Sequence, residues 1–236
     1  DLIAKIVDSL YTSLNYDEYL VTKYMIAINA LSGNMATTTI QELNKANADD
    51  FSIEARAISN LLVDMSTKYN YAGVHTYTNK DDQYLFLTAR GSAVVDVGSL
   101  AAAFNMDKAE FMGHSVVINS FSDIDSDRLA LLFASDPSYQ PITSEQAAEL
   151  DKIGAVLVDK DWFMIFDHYL NMTEQYNGEG LYWNYWLHAW RTFSVSPFAN
   201  AVVFTTETPA VTSVSVSPAT ATASKGQQVQ LTASVV

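Results

Sequence analysis

The chain has 236 residues, 49% of them apolar, which is enough for one large or two smaller domains with a real core and excludes disorder as the organising principle. Thirteen Lys and Arg against 27 Asp and Glu leave a formal charge of −14, which repels phosphate backbones and anionic membrane surfaces and argues against a duplex-binding module. There is no cysteine, so disulfides, thiolate zinc sites and cysteine nucleophiles are excluded, and no apolar run reaches the about 20 residues of a bilayer span.

The opening reads as helix. Leu2, Ile3, Ile6, Val7, Leu10 and Leu14 recur three or four apart and put an apolar stripe on one face. Asn15, with Glu18 three residues on, is expected to cap a second helix that carries Leu20, Tyr24, Ile28 and Leu31 and stops at Ser32-Gly33, giving a long, kinked spine. A β-branched stretch follows at Thr37 to Ile40, then a helix around Asp50 to Met65 with Ile53, Ala57, Ile58, Leu61 and Leu62 on one side.

From Tyr84 the elements shorten: strand at Tyr84 to Thr88, short helices at Val97 to Phe104 and Asp107 to Met112, strand at Ser115 to Ile118. These helices are too short for regular βαβ units. Ser122 to Gly154 is more polar, with an Asp cluster and two prolines, and is read as an insertion at 122–154 around one short helix at Glu145 to Leu150.

Leu181 to Phe204 is rich in aromatics and holds Trp183, Trp186 and Trp190. With period two, Trp183, Tyr185, Leu187 and Phe193 share one face and Tyr182, Trp186, His188 and Trp190 the other, so both faces are expected to be covered. Asn177-Gly178-Glu179-Gly180 supplies the positive-φ residues of a hairpin turn and makes Asn171 to Tyr176 the antiparallel partner. Two readings of the aromatics stand side by side, core packing and a subunit interface. On the core reading, Trp183→Ala or Trp186→Ala costs about 3–5 kcal/mol. After Phe204 the composition turns to Thr, Ser, Val and Ala, a new β-type segment at 211–236 with two strands either side of a Lys225-Gly226 turn. An immunoglobulin-like sandwich needs about seven strands. Asp1 in place of Met and the strand-like run to Val236 suggest a piece of a longer chain.

No catalytic or metal constellation emerges. His75, His114, His168 and His188 are scattered, without the i, i+4 pairing of a helix-borne metal site. Asp123, Asp125 and Asp127 imitate the start of a calcium loop, but Arg128 stands where the turn needs Gly and Ala134 where a bidentate Glu belongs. Gly178-Glu179-Gly180 lacks the third glycine of a dinucleotide fingerprint, and Asp159 and Asp161 are read as turn-formers rather than an acid/base pair. Asn171-Met172-Thr173 matches a glycosylation acceptor of chance length. The chain is expected to be no enzyme and to use no cofactor and no metal.

Four blocks carry a resemblance: AAAFNM (Ala101 to Met106), VLVDKDWFM (Val156 to Met164), GLYWNYW (Gly180 to Trp186) and FSVSPFANAVVF (Phe193 to Phe204). In kind, order and spacing the chain resembles the major capsid proteins of phi29-type short-tailed phages, over most of Asp1 to Phe204. The segment from Val211 resembles the start of a group 2 bacterial immunoglobulin-like domain. The resemblance implies an α+β, Hong Kong 97 type capsid fold. Residues 1–205 would form the shell domain, with peripheral and axial parts, and a truncated all-β immunoglobulin-like segment would follow. Asp1 to Leu31 would be the spine helix of the peripheral domain, Val94 to Phe121 part of the axial domain, and Asn171 to Tyr176 with Leu181 to Val195 the long β element. The N-terminal arm and extended loop of the family would precede the spine.

The family-motif residues so implied, structural in role, are Asp159, Lys160, Asp161, Trp162 and Phe163; Tyr182, Trp183, Asn184 and Tyr185; and Phe198, Ala199 and Asn200. The implied function is the head subunit of a double-stranded DNA tailed phage or prophage, assembling into hexamers and pentamers of an icosahedral shell. Its implied partners are itself, a scaffolding protein during assembly, a portal at one vertex and packaged DNA held without sequence-specific contact, with no membrane. Its place would be the virion capsid, assembled in the bacterial cytoplasm. The acidic balance suits such a wall, since a capsid that condenses nucleic acid directly should be basic. The rival reading is a bacterial surface or secreted binding module with immunoglobulin-like repeats.

Overall fold

The computed structural model describes residues 2–44, 46–95, 114–137 and 139–206, and in a second unit the strands at 214–217 and 232–235. The expected helices at Val97 to Phe104 and Asp107 to Met112, the block Ala101 to Met106 and the turn at Lys225-Gly226 lie outside the described residues.

The first unit opens with α1 (Leu2–Leu31), one continuous helix of 30 residues. Asn15 lies inside it and caps nothing, which corrects the expected break: one Asn costs a helix interior only a few tenths of a kcal/mol, too little to stop it where flanking residues pack. The end comes where expected. Gly33 takes a φ of +70°, the amide of Asn34 donates to the carbonyl of Asn29 at 3.0 Å and that of Ser32 to Ile28 at 2.9 Å, so the left-handed glycine lets the orphan carbonyls be met. Every buried residue of α1 lies at Leu20 or beyond.

Strand β1 (Ala36–Ile40) and helix α2 (Ala48–Val63) follow, then β2 (Gln83–Thr88), α3 (Ala89–Val94) and β3 (Ser115–Ile118). The segment read as an insertion holds two short helices, α4 (Ser126–Leu132) and α5 (Ser144–Leu150), where one was expected. Asp125 explains the missed helix: its carboxylate accepts the amide of Arg128 at 3.0 Å, so the acidic run that imitates a calcium loop is a helix N-cap. Strands β4 (Ile153–Asp159), β5 (Phe163–Asn177), β6 (Tyr182–Val195) and β7 (Ala201–Thr206) complete the unit.

Five strands form a mixed sheet in the order β1-β7-β4-β2-β3. The outer pairs β1/β7 and β2/β3 are parallel, and β7/β4 and β4/β2 antiparallel. Because β4 and β7 are central and covered on both sides, they read as unbroken apolar runs, Ala155 to Val158 and Ala201 to Phe204, rather than as alternation. One face carries Leu85, Leu87, Leu157, Val202 and Phe204 against Phe51, Ala55, Ile58 and Leu62 of α2, with Phe51 edge-on to Phe204 at 5.6 Å. The other carries Val156, Val158 and Val203 against Ile26 and Ala27 of α1, Leu150 of α5 and Trp162. The mixed helix-and-sheet class read from the sequence is the class of this unit. In the second unit β8 (Val214–Ser217) pairs antiparallel with β9 (Thr232–Val235).

Candidate assembly surface

Between β4 and β7 the chain leaves the sheet as a hairpin, β5 and β6, of 15 and 14 residues. It starts well before the expected Asn171, because Phe163 to Leu170 pairs with Ala189 to Val195 as the rest does. Its root is where most of the family-motif residues meet. The Asp159 carboxylate accepts the amide of Asp161 at 2.8 Å and the hydroxyl of Thr78, and Thr78 in turn accepts the Asn200 amide nitrogen at 3.0 Å. The main chain locks the same corner: the Asp159 amide donates to the Asn200 carbonyl, and the Ser196 amide to the Trp162 carbonyl, both at 2.9 Å. So Asp159 and Asp161 are turn-formers, as read from their spacing.

Trp162 is 3% exposed and stands edge-on to Phe163, centroids 4.5 Å apart, and Phe163 meets Phe86 at 5.8 Å. Lys160 reaches Asp82 at 2.7 Å across the surface. The hydrogen bond from Lys160 holds the Asp82 carboxyl below its ordinary range. A depressed carboxyl adds stability that is present at neutral pH and lost only as pH falls through its lowered value. Ala199 and Asn200 are buried beside this corner, whereas Phe198 is exposed and belongs to no cluster of the described core.

Tyr182, Trp183, Asn184 and Tyr185 lie at the other end, next to the tip. The tip closes on Asn177, whose carboxamide oxygen accepts the amides of Glu179 and Gly180, both at 3.0 Å. Neither Gly178 nor Gly180 takes the expected positive φ; Leu181 does, at 52°, with a side chain 75% exposed. Asn177 closes the turn through its own side chain, as in an Asx turn, and here the left-handed residue is the one that re-enters the strand.

The two faces of the hairpin have different surroundings. The inner face carries Leu187, Ala189, Arg191 and Phe193, half-buried over a groove with Leu14 and Val21 of α1 and Leu132 and Phe133 beside them. Arg191 bridges two carboxylates there, Glu18 of α1 and Asp167 of β5, the second at 2.5 Å. This clamp was not read from the sequence, although a lone Arg in a strand of aromatics was its signal. At Asp167 to Tyr169 the register shifts, with His168 as the extra residue, and His168 meets the Thr192 hydroxyl at 2.9 Å.

The outer face is bare. Phe166, Tyr169, Tyr182, Trp186 and Trp190 are 51%, 47%, 50%, 43% and 69% exposed, and on the inner side near the tip Trp183 is 51% exposed. This overturns the expectation that both faces are covered and, with it, the core reading of Trp183 and Trp186. Periodicity assigns residues to faces; it does not say whether the chain has a second layer to lay over each, and α1 and α4 reach only the inner side. For Trp183→Ala the expected loss is therefore about 1 kcal/mol, the worth of its 5.1 Å ring contact with Tyr176, as measured by urea denaturation. A loss above 3 kcal/mol would restore the core reading.

The other groups singled out in the sequence stay apart. His114 lies on the Tyr84 ring and touches the Gln83 carbonyl, and His188 meets Thr173 at 3.2 Å. No group of three metal-ligating side chains forms among the described residues. Nor is any described helix long and apolar enough to cross a membrane.

Comparison with known proteins agrees with this architecture. Over 210 residues the chain is 34% identical to the major capsid protein of Bacillus phage GA-1, covering 86% of this chain and 39% of that protein. It is 34% identical over 239 residues to that of Bacillus phage B103, covering 99% and 47%, and 27% identical over 214 residues to that of Streptococcus phage Cp-1, covering 85% and 53%. The chain thus spans about half the length, or less, of these relatives. Among solved structures, a chain of the capsid of Staphylococcus phage Andhra superposes with a TM-score of 0.60 at 17% identity, over 86% of this chain and 63% of that one. This is a likeness of fold. The surface-module alternative is not favoured by any of these neighbours. Residues 1–205, the sheet, the spine and the hairpin together, match the Phi29-like phage major capsid protein family, and the chain belongs to it.

Proposed function

We propose that this chain is the shell-forming part of the head subunit of a double-stranded DNA tailed phage or prophage, built on the Hong Kong 97 type fold. The observation that carries the reading is the family match over residues 1–205, which takes in every element of the first unit. The spine α1 and the hairpin would be the peripheral part, and Val94 to Phe121 would contribute to the axial part at the centre of hexamers and pentamers. A shell subunit acts by packing and geometry, so the reading calls for no catalytic group, no cofactor and no metal. A scaffolding protein during assembly and a portal at one vertex are its expected partners, and the bacterial cytoplasm its place of assembly. The charge of −14 supports an enclosed genome that is confined rather than gripped. The segment 211–236 would be the start of an immunoglobulin-like domain.

The test is electron microscopy of the full-length protein expressed with its neighbouring scaffolding gene. Closed shells tens of nanometres across are the expected result. Monomers alone, with scaffold present, would remove the shell reading.

A further inference from the structure

The hairpin's outer face has a property that its exposure alone does not convey. Fourteen positions, seven on each strand, pair across it from Met164 opposite Ser194 to Asn177 opposite Tyr182, and none is Asp, Glu, Lys or Arg. The chain around it carries 13 cationic and 27 anionic side chains, and the inner face of the same hairpin carries Asp167, Glu174 and Arg191. What fills the outer face instead is Phe166, Tyr169, Tyr182, Trp186 and Trp190, interleaved with Asn, Thr, Gln and His.

We propose that this outer face is a contact surface for a second copy of the chain, the partner that the shell reading requires but does not place. Three features select that occupant. First, area: five aromatic rings of about 200 Å² each, close to half exposed, offer about 500 Å² before their polar neighbours are counted. That is toward the upper end of the roughly 300–600 Å² of the largest apolar patch on an ordinary monomer, and most of the about 800 Å² that one side of a stable interface covers. Second, charge: two copies at −14 each repel wherever carboxylates meet, and this long strip lets them approach with no carboxylate on it. A basic partner, by contrast, would find nothing here to pair with. Third, composition: Trp and Tyr with no charged residue is the make-up of an interface centre.

The contact proposed is made by the face, and of the two strand edges that of β5 is blunted. The extra residue at His168 breaks the β5 ladder, which blunts that edge against another strand. The inner face is held against α1 and α4 only from Leu187 to Phe193, through Arg191, Glu18 and Phe193. Elsewhere it is open, with Leu170, Tyr176 and Trp183 exposed beside Asp167 and Glu174, so the outer face is the side that is free of charge along its whole length.

The experiment is hydroxyl-radical footprinting of Trp186 and Trp190 in the full-length protein, free and in assembled shells, together with the variant Trp190→Glu. Assembly is expected to cut modification of both residues at least fivefold. The variant is expected to melt within about 4 °C of wild type, because Trp190 is 69% exposed in the single chain and gives up only its 5.9 Å ring contact with Tyr169, and to lower the yield of shells at least tenfold. Shells in which both residues are modified as in the free protein overturn the inference while leaving the shell function standing, and so does a variant that assembles as wild type. If Trp190→Glu fails to fold, the wild-type footprint decides alone. A wild-type protein that stays monomeric with its scaffold overturns both.

Discussion

Replacing Trp162 with alanine is expected to lower the stability of the first unit by about 3–5 kcal/mol, the range for losing a buried large aromatic. The residue is 3% exposed, although it lies on the turn that leaves the sheet. Its ring joins Val156, Val158 and Val203 on the helix-α1 side of the sheet and stands edge-on to Phe163. Its carbonyl takes the amide of Ser196, the point where β6 comes back. The cavity would open where nothing can move to fill it: the main chain on both sides is pinned, to Asp159 by the Trp162 amide and to Asn200 by the Asp159 amide, each at 2.9 Å. The hairpin should lose its fixed direction along with the packing. Guanidinium denaturation measures the first effect and limited proteolysis in β5 the second. Trp162→Phe keeps most of the volume and should recover more than half of the loss. A loss below 1 kcal/mol for Trp162→Ala would mean that the corner is held by the Asp159, Thr78 and Asn200 network without the ring.

How far the sequence speaks differs between elements. Strands β2 and β3 and the end of α1 at Gly33 stand where local rules put them, because each rests on a short-range cause, β-branching or a left-handed glycine. The pairing of β5 with β6 is likewise local, a hairpin across one turn. What is not local was not legible. Helix α2 forms within two residues of its expected bounds but turns another face inward, burying Phe51, Ala55, Ile58 and Leu62 and leaving the expected Ile53 and Leu61 64% and 47% exposed. The sheet residues it packs on, and not its own apolar spacing, choose the face. Asn15 looks like a cap until Leu20, Val21 and Ile26 pack and hold the helix straight through it. Trp162, Trp183 and Trp186 are the same residue type in neighbouring motifs, yet the first is buried and the others are bare. The difference lies in which helices happen to lie over each side of the sheet and the hairpin, and that is set by residues up to 173 positions away, as in Arg191 to Glu18. The root network of Asp159, Thr78 and Asn200 joins three distant segments in the same way. Resemblance supplied the family-motif residues but no division among them; the structure separates a root group that fixes the hairpin from a tip group on its free end.

Leu129→Ala is expected to cost about 2–5 kcal/mol, and Leu131→Ala less than about 0.5 kcal/mol, two substitutions two residues apart in the segment that reads as a polar excursion. Leu129 is fully buried against Leu20 and Val21 of α1, with Phe133 and Phe193 beside them, while Leu131 is 71% exposed on the opposite side of α4. The segment is fastened along α1 at successive turns of that helix. Tyr16 donates to Asp125 at 3.1 Å, Arg128 makes two contacts of 2.7 Å to the carboxylate of Asp17, Lys23 donates to Asn119 at 2.7 Å and to the Asp123 carbonyl, and Tyr24 donates to the Gln140 carbonyl at 2.9 Å. Burial pushes the Lys23 amine's pKa down and nearby Asp123 opposes the shift, while the Asn119 and Asp123 oxygens take the place of solvent around the nitrogen. These polar contacts fix position more than they add energy, because most are part-exposed. The energy comes from the Leu129 knob, and from Leu150 further on, which is fully buried against the sheet. Thermal and urea denaturation of the two variants separates the alternatives. Equal, small losses would make the segment a loosely attached excursion; the expected large difference makes α4 a structural layer that holds the spine helix on one side and the inner face of the hairpin on the other. Since the same layer supports Phe193 and the Arg191 clamp, Leu129→Ala should also loosen the hairpin, and protease sensitivity should rise in β6 before it rises in β4.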